Sequence, residues 1–240
     1  MFEAFYINIK GSSKRRLFME KQFQALGVKY TRIEAVTLDA DSEYARYPKD
    51  LYNQRNGKSA LVLSWIRALE TAVQGSPGHV LIAEDDTQFN KRTFLHELRE
   101  TLAVLPESWH GLHLGTDGIV HTKRTNQRFQ GRPWPKYIKW NPGEPLYPGG
   151  PGALLIKRNH IHTLLDRILQ WCRHRKWEGM DVIQGYIYTE HEDMNIFVAD
   201  RPQLCVHNRR LLGDRLEMSK FKWYLKYSKD ILFLKKKFKQ

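Results

Sequence analysis

Short apolar runs alternate along this chain with stretches whose apolar residues recur every three or four positions. Ala4–Lys10 (AFYINIK) is the first run, aromatic and β-branched, and predicts a buried strand with Asn8 inside it. Gly11-Ser12-Ser13 breaks it, and a serine there can cap the next helix. Lys14–Leu26 places Met19, Phe23 and Leu26 on one helical face, and Gly27 is a natural stop. Val28–Val36 predicts a second strand, and the polar, tyrosine-rich stretch Leu38–Gly57 an irregular excursion. Ser59–Val73 has Leu61, Trp65, Leu69 and Ala72 at helical spacing and ends at Gly75-Ser76-Pro77-Gly78. His79–Ala83 (HVLIA) predicts a compact buried strand that runs straight into Glu84-Asp85-Asp86. Thr93–Leu105 comes next as a helix and Gly111–Leu114 as a strand closed by Gly115.

Asp117–Pro148 differs in kind: it is rich in proline, holds two tryptophans and several basic residues, and has no clear period. Loops of that length are usually functional or disordered. Gly149-Gly150-Pro151-Gly152 then leads into a strand over Ala153–Lys157. A helix is predicted from an Asn159 cap to about Arg173, and a short one over Asp181–Tyr188. Asn195–Ala199 and Gln203–Val206 predict the last strands. Strands alternating with helices imply βαβ units: an α/β fold with a mostly parallel sheet and helices on both faces. Such sheets bind ligands beyond the carboxyl ends of their strands, and Glu84-Asp85-Asp86 stands at one of those ends.

With 240 residues, 41% of them hydrophobic and 27% charged, the chain can bury a core unaided. No stretch approaches the roughly 20 apolar residues of a membrane span. The N-terminus lacks the pattern of a secretory signal. Two cysteines, Cys172 and Cys205, argue against a disulfide framework, so the cytoplasm is the expected compartment. Charge changes the picture more. The net charge is +13, and Arg215–Gln240 holds nine basic residues against Glu217 and Asp230, a local +7. Wound as a helix, this tail sets Phe221, Leu225, Ile231 and Leu232 broadly to one side and Lys222, Lys226, Lys229 and Lys236 to another. Basic amphipathic helices with tryptophan and tyrosine lie in membrane interfaces, and each lysine adds about 1 kcal/mol near an anionic surface. A helix docked on the domain with a solvated lysine face fits the same pattern. The expected division is a catalytic domain over 1–212 and a basic tail over 213–240.

Three adjacent carboxylates repel one another and are best tolerated when a cation or several donors neutralise them. Mg²⁺ or Mn²⁺ suits such hard oxygens and usually takes one or two carboxylates plus substrate phosphates. The triplet therefore reads equally as a metal–diphosphate clamp and as a solvated acidic turn. Phosphate-loop, HExxH and GxSxG motifs are absent from the sequence.

Ordered blocks of sequence narrow the choice. In FYINIKGSSKRRLFMEKQFQALGVKYTRIEAV, the residues Tyr6, Ile7, Asn8, Arg15, Arg16, Leu26, Gly27, Ala35 and Val36 resemble the opening of the family 25 glycosyltransferases. SALVLSWIRALETAVQGSPGHVLIAEDD resembles that family's acidic block through Ser64, Glu84, Asp85 and Asp86, with Trp65 where the family usually has histidine. GPGALLIKRNHIHTLL and Gly179-Met180-Asp181 resemble later segments, so similarity spans most of Ala4–His207.

The resemblance implies a GT-A-type nucleotide-diphosphosugar transferase. It implies inverting transfer, usually of galactose from UDP-galactose, onto a lipooligosaccharide or related glycan acceptor, with Mn²⁺ or Mg²⁺. Asp86, helped by Asp85 or Glu84, would hold the metal, and His207 could add a contact, or be an ordinary strand-end histidine. Asn8, Arg15, Arg16, Ser64, Glu84 and Asp85 become candidate donor-binding residues; the two arginines open a helix, whose N-terminus favours anions. Inversion needs a base for the acceptor hydroxyl. Asp181 is the first candidate, though it could equally cap its helix, and Asp117 is the second. Such an enzyme would work as a peripheral protein on the inner face of the cytoplasmic membrane, with no nucleic-acid partner. The alternative from charge and triplet alone is a metal-dependent nuclease or nucleotidyltransferase.

Overall fold

A computed structural model describes residues 2–48, 56–76, 78–115, 138–139, 152–175, 179–191, 194–199 and 204–208. The basic tail and Asp117 lie outside them. Met1–His207 forms one compact unit.

The first strand, β1 (Phe2–Asn8), starts earlier and ends earlier than the sequence predicts, so Asn8 is its last residue and not an interior one. Helix α1 (Ser13–Leu26) comes next. Ser12 stands at its N-cap position, but its side chain makes no capping bond. Gly27 closes the helix as predicted, in the left-handed region at φ 63°, with its N–H on Gln24 O and that of Val28 on Phe23 O. After β2 (Tyr30–Glu34) comes a helical turn, α2 (Asp41–Tyr44). Helix α3 (Gly57–Ala72) is started by Asn56, whose Oδ1 accepts from the N–H groups of Lys58 (2.9 Å) and Ser59 (3.1 Å). Ser59 Oγ accepts in return from Asn56 N, a reciprocal box whose loss costs about 1 kcal/mol. At the other end the Arg158 guanidinium donates to Ala72 O and pairs with Glu3.

Along the chain come β3 (His79–Glu84), β4 (Thr87–Phe89), α4 (Phe94–Val104), β5 (Gly111–His113) and β6 (Ile138–Lys139). Strand β7 (Ala153–Lys157) matches its predicted span. A 3-10 turn (Arg158–His160) then enters α5 (Ile161–His174), so His160 and not Asn159 occupies the N-cap. The last elements are α6 (Met180–Glu190), β8 (Ile196–Val198) and β9 (Cys205–His207).

Seven strands form one sheet in the order β2-β1-β3-β7-β5-β8-β6, while β4 and β9 pair apart from it. Strands β2, β1, β3, β5 and β8 run one way; β7 and β6 run against them. The sheet is thus mostly parallel, with helices on both faces. Strand β5 ends and β7 begins at the same end of the sheet, which is why β7 runs back.

Alternation along each strand assigns its side chains to opposite faces. Phe5, Ile7, Val80, Ile82, Leu154 and Ile156 pack under α3, α5 and α6, against Trp65, Leu69, Leu164 and Ile183. Ala4, Tyr6, Leu81, Ala83 and Leu155 pack under α1 and α4, against Met19, Phe23, Phe94 and Leu98. Burial on both faces is why HVLIA and ALLIK read as unbroken apolar runs.

Candidate functional site

In the register of β1 with β3, Ile7 lies beside Glu84, so the carboxyl ends of these parallel strands are level. Asn8, at one end, therefore faces the turn Asp85-Asp86 at the other. Their side chains meet: Asn8 Nδ2 donates to Asp85 Oδ2 at 2.7 Å. From the first turn of α1, Arg15 Nη1 donates to Asp85 Oδ1 at 2.9 Å. Asn8 is held in turn by Arg32, whose Nε donates to its Oδ1 (3.0 Å), and by its own bond to Ser12 O (3.3 Å). Asn8 is 1% exposed and Asp85 6%. Asp85 thus ties β1 and α1 to the end of β3.

Glu84 has the opposite parity in β3 and turns to the α3 side, where Trp65 Nε1 donates to its Oε1 at 3.2 Å. Asp86 continues the turn into β4, a strand the sequence pattern did not predict. Two partners build it. Strand β9 pairs with it antiparallel, placing His207 opposite Thr87 in register. On its other side Gln22 of α1, fully buried, donates to Thr87 O and accepts from Phe89 N, each at 2.9 Å. A side-chain amide here does the work of a neighbouring strand. Sequence reasoning missed Gln22; a lone polar residue on the apolar face of α1 was its one signal.

These groups border a cleft of about 420 Å³ over the ends of β1 and β3. Arg15 stands on one side; Gly57, Ala60, Leu61 and Ser64 of α3 form the other; Glu84, Asp85 and Asp86 supply the acidic floor. Ile9 and Leu38, both about half exposed, add apolar surface at the rim. The rim backbone is anchored on α3. Val36 N donates to Ser64 Oγ (2.9 Å), which itself donates to Ala60 O (2.7 Å), so the Ser64 hydroxyl is engaged with backbone on both counts. Arg67 donates to Glu34 O (2.8 Å) and to Glu43 (2.6 Å), a bond that holds the Glu43 carboxyl below the ordinary range. Tyr44 bonds Ser59 at 3.1 Å.

The structure thus brings Asn8, Arg15, Ser64, Glu84, Asp85 and Asp86 together. Arg16 is not among them; it is exposed and pairs with Glu20 at 3.5 Å, one turn along its own helix. Asp181 is the second residue of α6, whose N-cap is Gly179, so it is not the cap of that helix. On the sheet face covered by α3, α5 and α6, His113 bonds Tyr188 of α6 at 3.2 Å, and full burial lowers its imidazole to about 4.

Among the described residues no group of three His, Cys, Asp or Glu side chains could hold a metal ion by itself. The donor chemistry still fits a divalent cation bound together with a diphosphate, because Asp86 and Glu84 offer hard carboxylate oxygens to one cleft. No helix among the described residues is long and apolar enough to cross a membrane.

Residues 1–125, just over half the chain and the part containing this whole cleft, match the family model for glycosyltransferase family 25 (LPS biosynthesis protein). The chain belongs to glycosyltransferase family 25. Among solved structures, this family 25 glycosyltransferase is similar to one involved in the glycosylation of the major capsid of PBCV-1, at 10% identity and TM-score 0.52. That likeness covers 92% of this chain and 98% of the other, and it shows a shared, GT-A-like fold. A second similarity is to the galactosyltransferase LgtC in complex with donor and acceptor sugar analogs, at 10% identity and TM-score 0.44, over 83% and 73% of the two chains. A third is to glucosyl-3-phosphoglycerate synthase from Mycobacterium tuberculosis in complex with Mn²⁺, UDP and phosphoglyceric acid, at 12% identity and TM-score 0.40, over 90% and 73%. No curated protein matches the sequence.

Proposed function

We propose that this family 25 glycosyltransferase moves galactose from UDP-galactose, with inversion, onto a hydroxyl of a lipooligosaccharide or lipopolysaccharide acceptor. The observation that carries the reading is the cleft over the carboxyl ends of β1 and β3, which joins an arginine, three carboxylates and an apolar rim in one place. Ile9 and Leu38 offer surface for the nucleoside. Arg15, oriented by Asp85, brings a guanidinium to the diphosphate. Asp86 would hold Mn²⁺ or Mg²⁺, which when bound supplies Lewis-acid stabilisation of the departing UDP. The acceptor oxygen attacks the anomeric carbon from the face opposite the diphosphate, and the bond from that carbon to the diphosphate oxygen breaks. A carboxylate takes the acceptor proton. Asp181, on the first turn of α6, is the proposed base, with Asp117 as the other candidate. His207, whose backbone pairs with Thr87 beside Asp86, is a further proposed contact to the metal or phosphate.

A thermal-shift screen tests the site. Ligands that bind the folded form raise apparent stability, by about 2.7 kcal/mol at a hundred times Kd. Mn²⁺ with UDP is expected to raise the Tm of the wild type and not that of Asp86→Ala. Equal shifts in both proteins would remove Asp86 from the donor site. A panel of UDP-sugars in a donor-hydrolysis assay then identifies the sugar.

The working place of the enzyme is part of the same proposal. The segment 213–240 carries a basic amphipathic pattern, and a glycolipid acceptor lies at a membrane surface. Attachment through that tail to anionic lipid would keep the enzyme at the inner face of the cytoplasmic membrane.

A further inference from the structure

Glu84 is positioned with more care than a solvated acid requires. Its backbone N–H donates to Gly152 O at 2.8 Å, at the entry to β7. Its Oε1 accepts from Trp65 Nε1, and Trp65 is 1% exposed, so the indole is clamped by the core and cannot swing away. The third feature is what Gly152 lacks. A Cβ built on Gly152 would overlap the carboxyl group of Glu84, from Cγ to Oε1. Its backbone is not in the positive-φ region that favours glycine, unlike Gly27 and Gly78. Space for the Glu84 side chain is therefore the reason visible for glycine there.

We propose that Trp65 and Gly152 are positioning residues for donor binding: together they set the Glu84 carboxylate at the cleft, where it accepts hydrogen bonds from the vicinal hydroxyls of the sugar nucleotide. A carboxylate has two acceptor oxygens, and paired hydroxyls are complementary donors. Both the ribose and the transferred hexose carry such pairs. The inference rests on reading the cleft as the donor site.

Isothermal titration of the full chain with UDP, and separately with UDP-galactose, in the presence of Mn²⁺ tests it. Trp65→Phe keeps an aromatic ring and removes the N–H donor; it is expected to weaken binding by about ten- to a hundredfold, the size of one charge-assisted hydrogen bond. Gly152→Ala is expected to weaken binding at least as much, by pushing the carboxylate out of place. In a Glu84→Ala background, both substitutions are expected to cost nothing further, because the group they position is gone. A loss shared by UDP and UDP-galactose assigns the contact to ribose; a loss confined to UDP-galactose assigns it to the hexose. Additive losses in the Glu84→Ala background would overturn the proposal, as would wild-type binding by both single variants. If Trp65→Phe fails to fold, Gly152→Ala and its relief by Glu84→Ala decide alone. Wild-type protein that binds neither ligand would instead overturn the donor-site reading beneath the inference.

Discussion

Replacing Asp85 by alanine separates bracing from ligand binding within the acidic triplet. Asp85 accepts one hydrogen bond from Asn8 and one from Arg15, at 2.7 and 2.9 Å, and is itself 6% exposed. Hydrogen bonds to a charged group contribute about 1.5–3 kcal/mol each, and breaking a buried ion pair costs about 3–5 kcal/mol. Two features lower the figure here. The Arg15 side chain is 24% exposed and can return to water, and Asn8 keeps its bonds to Ser12 and Arg32. About 3 kcal/mol is the expected destabilisation, which for a domain of this size lowers Tm by about 10 °C. Asp86→Ala is expected to cost less, about 1 kcal/mol, while abolishing Mn²⁺-dependent UDP binding, since its carboxylate borders the cleft. Urea denaturation and calorimetric titration of both variants provide the comparison. Arg15→Met completes a double-mutant cycle with Asp85→Ala, with an expected coupling of about 1–2 kcal/mol. The bracing role is refuted if Asp85→Ala unfolds at the wild-type urea midpoint yet loses UDP as completely as Asp86→Ala. Asp85 would then serve the ligand and not the fold.

Three further outcomes are expected. Asp181→Asn should lower transfer by at least a hundredfold and leave UDP affinity within twofold; residual transfer near the wild-type rate would exclude Asp181 as the base. His113 is neutral when folded, at about 4 against about 6.5 unfolded, so its contribution is intact above pH 6.5 and is lost as pH falls through 4. That linkage is worth about 3 kcal/mol, and His113→Gln should flatten the stability profile between pH 6.5 and 4 in urea melts; an unchanged profile would show that another group carries the slope. Truncation after Leu212 should abolish co-sedimentation with phosphatidylglycerol vesicles at low salt, and full retention would rule out the tail as the anchor.

Element positions were legible in the sequence because they depend on local pattern. HVLIA announced a buried strand and ALLIK a strand, Gly27 announced a helix end, and the spacing of Leu61, Trp65 and Leu69 announced α3. The acidic triplet at the end of β3 marked the place where the cleft lies, since a buried run ending in three carboxylates conflicts with burial unless something answers the charge. Boundaries slipped where caps outside the periodic stretch decided them, as at Asn56 and His160. The direction of β7 was not readable, because an apolar run packs equally well either way and only its hydrogen-bond partners choose. Strand β4 was invisible for a similar reason: three residues carry no period, and its pairing comes from Cys205–His207 and from Gln22, far away in sequence.

The triplet shows the division most clearly. Composition alone determined that three acids at this point need cations or donors. Only the fold decided that the acids meet different surroundings: Asp85 is held by Asn8 and Arg15, Glu84 by Trp65, and Asp86 stands in the turn into β4. Side chains alternate across a strand, so consecutive residues must face different neighbours. Those neighbours are supplied by elements up to 77 positions apart, which no local pattern encodes.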